Sequence, residues 1–173
     1  MTADFSAIIT LGDKMAKTVK TNAMRILDKA KIDYEVLEYP HGKEAIEGGE
    51  VARLMGQDPA KVFKTLVAKG KSGEYYVFDI PVVNELDLKK AAKAVGEKNI
   101  EMVHVKDLVK ICGYARGNVS PIGMKTGFLT VFDKSVLEFE YIYISAGKLG
   151  FQIKAEAKAL MNIIEAKTAE VCF

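Results

Sequence analysis

Three stretches of this sequence place reactive or anion-binding residue types where chemistry could use them. The first is Lys64, inside Val62-Phe-Lys-Thr-Leu-Val67. That run has the β-branched and aromatic content of a buried strand. Because a strand alternates faces, Lys64 shares a side with Val62, Leu66 and Ala68, opposite Phe63, Thr65 and Val67. Two readings are open: a lysine snorkelling out of an edge strand, or one held at a pocket wall with its charge presented to a carbonyl or phosphate. The second stretch is Gly113–Lys125, whose first eleven residues hold three glycines, Asn118 and the Ser120-Pro121 step. Such a segment is neither helix nor regular strand. It reads either as a plain connecting loop or as a nest of backbone N–H groups for an anion or a developing oxyanion. It lacks the Gly-Lys-Ser/Thr of a P-loop and does not match a dinucleotide-binding fingerprint. The third is Ser145-Ala-Gly147-Lys-Leu-Gly150-Phe-Gln152, where the glycines suit a turn between two strands. No His–Asp relay accompanies Ser145, so a serine-hydrolase triad is poorly supported. Cys112 and His104 could form a nucleophile and base, yet Cys112 ends an apolar helix, where an inert buried thiol is the better reading.

The elements that must hold these residues follow from local signals. Thr21 or Asn22 caps a helix over Ala23–Ala30, and Tyr34–Tyr39 alternates like a half-buried strand that Pro40 stops. A polar loop, His41–Gly49, leads into a short helix, Glu50–Met55, that Gly56 closes. Asp58-Pro59 opens a single turn over Pro59–Lys61. Val62–Ala68 and Tyr75–Ile80 form a hairpin about the turn Gly70–Gly73. Asp87 caps a helix Leu88–Val95, closed by Gly96, and a short strand Met102–Val105 precedes a short helix Lys106–Ile111. Phe128–Phe132, Tyr141–Ser145 and Phe151–Lys154 read as strands, Ala155–Ala166 as an amphipathic helix and Ala169–Phe173 as a last strand. Strands and helices mix without a βαβ repeat. The expected fold is therefore α+β, one domain with a mixed, strongly curved, barrel-like sheet flanked by helices. Residues 1–17 show no period and are read as a dispensable extension; residues 18–173 are read as the domain.

Composition sets outer limits. The 173 residues suit a single core, and a formal net charge of +2 carries no nucleic-acid signature by itself. Two lone cysteines, Cys112 and Cys172, with no CxxC pair and no histidine at ligand spacing, argue against a zinc site. The N-terminus lacks the features of a signal peptide, and no stretch approaches the ~20 apolar residues of a membrane span. A cytoplasmic protein without metal or cofactor is expected.

Taken together, Phe63-Lys64-Thr65-Leu66, Gly113-Tyr-x-x-Gly117-x-x-Ser120-Pro121-x-Gly123 and Ser145-Ala-Gly147-x-x-Gly150 resemble the YbaK family of aminoacyl-tRNA deacylases, related to the editing domain of prolyl-tRNA synthetases. The resemblance spans about residues 20–170 and is closest to the branch acting on Cys-tRNA(Pro). It implies a trans-editing enzyme that strips cysteine from the acceptor 3′ end of mischarged tRNA, with prolyl-tRNA synthetase as a partner. It implies that Lys64 anchors the substrate beside its ester and that Gly117 and its neighbours offer N–H groups to the acyl carbonyl. Tyr39, Thr65, Asn118, Ser120, Ser145, Gly147 and Gln152 become substrate contacts. Where the family often carries an acid, this chain has Gln152. The alternative from another class is a non-catalytic tRNA- or synthetase-binding module of the same fold.

Overall fold

In the computed structural model the described residues are 8–10 and 19–173. Most of the stretch read as an extension, 1–17, lies outside them; within it, β1 (Ile8–Thr10) is laid antiparallel on β2 (Tyr34–Glu38). The remaining elements are α1 (Asn22–Lys29), α2 (Gly48–Leu54), β3 (Phe63–Gly70), β4 (Tyr75–Pro81), α3 (Leu88–Val95), β5 (Ile100–Met102), α4 (Leu108–Cys112), β6 (Leu129–Asp133), β7 (Tyr141–Ser145), β8 (Phe151–Glu156), α5 (Ala157–Ile163) and β9 (Lys167–Ala169). Local chemistry explains most boundaries. The Thr21 hydroxyl accepts from the Met24 N–H, Asp58 caps the Pro59–Lys61 turn, and Asp87 accepts from the N–H groups of Lys89 and Lys90. Gly96 closes α3 at φ 75°, a left-handed conformation that costs a glycine little.

The architecture is α+β, with the described strands in two sheets where sequence suggested one. The order β1-β2-β8-β7 is antiparallel throughout; β5-β3-β4-β6-β9 is mixed, with β4, β6 and β9 parallel. The sheets meet where Val62, at the mouth of β3, bridges Tyr143 of β7. The capped turn at Pro59–Lys61 re-aims the chain there, so β3 leaves the first sheet after one bridge. Further readings shift: the short strand expected at Met102–Val105 lies at Ile100–Met102. α5 begins at Ala157, because Ala155 and Glu156 still pair with Ile142 and Tyr141 in the β7–β8 ladder. The last strand lies earlier, at Lys167–Ala169, and Cys172 lies beyond it, bridged to Leu86 and with its carbonyl accepting from Lys90 Nζ at 2.9 Å.

One core lies between the sheets under α1 and α5: Leu27, Phe63, Ile122, Phe132, Ile144 and Leu160 are buried together, with the Phe63 and Phe132 rings 5.9 Å apart. Burying each such side chain fully contributes roughly 1.5–3 kcal/mol. A second core, around Phe78, Ile80, Ala91 and Val171, packs α3 on the other face of the mixed sheet. β3 runs between these cores and is thereby held rigid from both sides.

Candidate active site

A cleft of about 330 Å³ opens along β3, within the usual range for small-molecule sites. Its position follows from strand pairing. β5 pairs only with Ala68–Gly70, ending in a 3.1 Å bond from the Val103 N–H to the Val67 carbonyl, and β7 touches β3 only at Val62. Between these points Lys64–Leu66 has β4 on one side and the cleft on the other. Backbone groups alternate sides along a strand. With the Val67 carbonyl turned to β5, the N–H and C=O of Thr65 face the cleft as an unpaired edge.

Of the residues singled out from sequence, Tyr39, Lys64, Thr65, Gly117, Ser145 and Gln152 all line this cleft. They arrive from distant parts of the chain. Tyr39 is delivered at the end of β2 by a 2.8 Å bond from its N–H to the Gly150 carbonyl. Ser145 and Gln152 face each other in the β7–β8 register. The Ser145 hydroxyl donates to the Asn118 carbonyl at 3.2 Å and accepts from the Gly147 N–H at 3.1 Å, tying the glycine-rich loop to the β7–β8 turn. The loop itself turns at Ala115–Asn118, closed by a 3.0 Å bond from the Asn118 N–H to the Ala115 carbonyl. Gly117 takes φ 88° there, and a Cβ on it would collide with Ala45.

Asn118, Ser120 and Gly147 do not line the cleft. Ser120 is fully buried, with its hydroxyl accepting from the Ile122 N–H at 3.3 Å. Asn118 and Gly147 reach the cleft through Ser145. The base of the loop is locked by Tyr114, whose hydroxyl donates to the Ile122 carbonyl at 2.6 Å and sits against Gly123 while its ring packs over Gly147. Burial pushes that phenol up to about 12, so it acts as a fixed donor.

Three features were not singled out from sequence. Arg116 joins Lys64 in the lining, and the lining holds no carboxylate. Neither cation has an ion-pair partner among the described residues, which leaves both free for an anionic ligand. Gln57 donates from Nε2 to Gln152 Oε1 at 2.7 Å, fixing the amide where an acid was anticipated. Asp79 of β4, in register with Thr65, is completely buried; its Oδ1 and the Thr65 Oγ1 share a hydrogen bond of 2.5 Å. Burial pushes its carboxyl up to about 8, against the Thr65 bond, which acts to lower it.

The cysteines stay outside the cleft. Cys112 is buried and points its thiol at the Tyr114 carbonyl, 3.7 Å away, while His104 is exposed. Burial, with the nearby Asp133 charge, pushes the Cys172 thiol up to about 12, far from a reactive thiolate. No group of three or more His, Cys, Asp or Glu capable of holding a metal occurs among the described residues. No helix among them is long and apolar enough to cross a membrane.

An apolar-walled cleft with two unpaired cations, an open strand edge and a glycine turn suits an activated carbonyl attached to a phosphate-bearing chain. The fold and this cleft define an aminoacyl-tRNA editing domain: residues 44–163 match that family, and the chain belongs to it. A protein of Enterococcus faecalis named as a proposed Cys-tRNA(Pro)/Cys-tRNA(Cys) deacylase, EbsC, is 40% identical over 152 residues, covering 88% of this chain and 93% of the relative. Among solved structures, a proposed trans-editing enzyme for prolyl-tRNA synthetase superposes with a TM-score of 0.75 at 24% identity over 90% of this chain and 99% of its own. A hypothetical protein superposes at 0.79 with 19% identity, over 88% and 100%. At those identities the two structures establish the shared fold.

Proposed function

We propose that this chain is a trans-editing aminoacyl-tRNA deacylase that removes cysteine from mischarged Cys-tRNA(Pro). The observation that carries the reading is the meeting of Lys64, Thr65, Gly117 and Ser145 in one cleft with an excess of positive charge. The name of the E. faecalis relative supports cysteine as the amino acid removed. Residues 18–173 would form the catalytic unit. The two sheets, joined at Val62 and Tyr143, would wrap the cleft as one curved, barrel-like wall.

In this reading Lys64 and Arg116 hold the terminal ribose and phosphate of the acceptor end, and the open edge at Thr65 takes the amino-acid main chain. Tyr39 and Gln152 border the side chain. The substrate supplies its own nucleophile. Its thiolate attacks the neighbouring ester carbonyl, the C–O bond to the tRNA breaks, and the tRNA oxygen leaves with a proton as the thiolactone is released. A thiol near pKa 8.5 is only a few per cent ionised at neutral pH, so orientation within the cleft must supply much of the rate. Lys64 and the N–H groups around Gly117 stabilise the developing oxyanion. No protein nucleophile is required, in keeping with the positions of Cys112 and Cys172. We infer action in the cytoplasm beside prolyl-tRNA synthetase, because a cleft with two cations grips free tRNA weakly and in a salt-sensitive way.

The test is release of amino acid from a panel of Cys-, Ala- and Ser-charged tRNAs by wild type and Lys64→Ala. Release of cysteine by wild type and its loss in the variant, with the fold intact, supports the reading. Undiminished turnover by Lys64→Ala, or no release by wild type, overturns it.

A further inference from the structure

Asp79 stands out because nothing in the reaction just described uses it. A carboxyl with no exposed surface sits one side chain behind the cleft, and its sole hydrogen bond among the described residues goes to Thr65, which lines the cleft. The other oxygen, Oδ2, has no partner among the described residues. A buried polar group this poorly satisfied is costly and calls for an explanation.

No charge faces it. Across β3, Thr65 lies between Phe63 and Val67; across β6, Phe132 is in register and Thr130 is two residues back, its hydroxyl donating to the Phe128 carbonyl. On β4 itself the same side carries Val77 and Pro81. The core over this face is apolar, with Ile122 and Ile144. Lys64 is paired with Ile80 and therefore lies on the opposite face. The state of the carboxyl is thus governed by burial and by Thr65 alone.

That isolation has a consequence for Thr65. A hydroxyl has one proton and can donate in one direction at a time. When Asp79 is protonated, Oδ1 can donate to Thr65 Oγ1, and the Thr65 O–H is then free to donate into the cleft. When Asp79 is ionised, Oδ1 can only accept. The Thr65 proton is then committed to it, and only lone pairs face the cleft.

We propose that Asp79 is a positioning residue that sets whether the Thr65 hydroxyl donates or accepts hydrogen bonds in the cleft, and with it the pH range over which the substrate ester carbonyl is polarised. A developing oxyanion needs donors, so the protonated pair is the productive one. Burial keeps that form populated at neutral pH. The inference rests on the deacylase reading for its substrate, and the Asp79–Thr65 coupling can be measured without it.

The experiment compares single-turnover release from Cys-tRNA(Pro) by wild type, Asp79→Asn, Thr65→Val and the double variant between about pH 6.5 and 9.5. With the spontaneous hydrolysis measured without enzyme subtracted from each rate, the ratio of wild-type to Asp79→Asn rate cancels the ionisation of the substrate. An asparagine at 79 offers a permanent N–H donor to Thr65. The ratio should therefore fall about tenfold between pH 7 and pH 9, as a single group titrating near 8 requires, and the fall should vanish when position 65 is valine. A flat ratio, or a fall that persists on the Thr65→Val background, overturns the proposal. In parallel, the side-chain carboxyl carbon of Asp79 is titrated by NMR without substrate. Thr65→Val should move its midpoint upward, and an unmoved midpoint also overturns the proposal. A chain that releases no amino acid but shows the upward move loses the deacylase reading and keeps the coupling. An active deacylase with a flat ratio loses this inference alone.

Discussion

Two aspartates on the mixed sheet, Asp79 on β4 and Asp133 at the end of β6, are both buried, yet their surroundings treat them oppositely. Asp133 accepts from the Val171 N–H at 3.1 Å and the Ser135 N–H at 3.2 Å. Burial opposes its ionisation, but those bonds and the Cys172 contact outweigh it and hold the carboxyl below the usual carboxylate range. Among the described residues Asp79 has one hydroxyl and no backbone donor, so burial wins and the carboxyl moves up to about 8. Fixed N–H donors favour the charged form; a rotatable hydroxyl can serve either form. The first arrangement anchors the C-terminal segment to the sheet. The second leaves a proton that can move beside the cleft.

The signs of their stability effects are also opposite. Asp133, depressed in the folded state, contributes stability that is present above the unfolded carboxylate value and is lost as pH falls through the folded value. Asp79, raised in the folded state, binds a proton that the unfolded chain releases above about pH 4. Its cost therefore grows from about pH 4 to about pH 8 and levels off beyond, by about 1.4 kcal/mol for each unit of upward displacement.

These contrasts can be broken or sharpened by substitution. The largest effect belongs to neither acid. Lys64→Ala should lower single-turnover release of cysteine about 10²–10³-fold with an unchanged circular-dichroism spectrum, because it removes a donor to the transition state without touching a core. Next, Asp133→Ala should cost roughly 2–3 kcal/mol at neutral pH, lowering Tm by roughly 6 °C, since two backbone donors lose a charged acceptor. The deficit should shrink as pH falls below the ordinary carboxylate range. Asp79→Val should do the reverse, raising Tm by roughly 4 °C at pH 8 with little change at pH 4. A loss of stability at pH 8 would show that the Thr65 bond outweighs burial and would erase the contrast. Arg116→Ala should raise KM several-fold and flatten its dependence on salt by about one phosphate contact, leaving Tm in place. Smallest of all, Cys112→Ala should leave deacylation within about twofold of wild type, and loss of activity would return the cysteine-hydrolase alternative.

Much of the chain could be read without coordinates wherever the signal is local. The caps at Thr21, Asp58 and Asp87, the glycine stop at Gly96 and the β3–β4 hairpin all follow from side-chain-to-backbone bonds spanning a few residues. The reading loosened where two periods fit one sequence. Ala155-Glu-Ala-Lys-Ala-Leu suits a helix, but pairing with β7 and β2 keeps Ala155 and Glu156 extended. It failed where contact between distant strands decides. Asp79 lay within the second strand of the expected hairpin, but its complete burial depends on partners from other strands, Thr65 of β3 and Phe132 of β6. A lone acid between Phe78 and Ile80, ahead of Pro81, was the one available hint. Ser120 drew attention by its place beside Pro121, yet packing turns its hydroxyl inward.

Sequence by itself determined the α+β class, the run holding Lys64, the loop that must contain Gly117 and the turn that must contain Gly147 and Gly150, because backbone conformation and cap chemistry are short-range. Tertiary structure alone decided that the strands separate into two sheets and that, among the described residues, the edge of β3 facing away from β4 is left open between Val62 and Val67. It also decided that Arg116 and Gln57 join the site and that Asp79 stands behind Thr65. Those outcomes depend on register and desolvation, which arise only when strands far apart in the chain share a core.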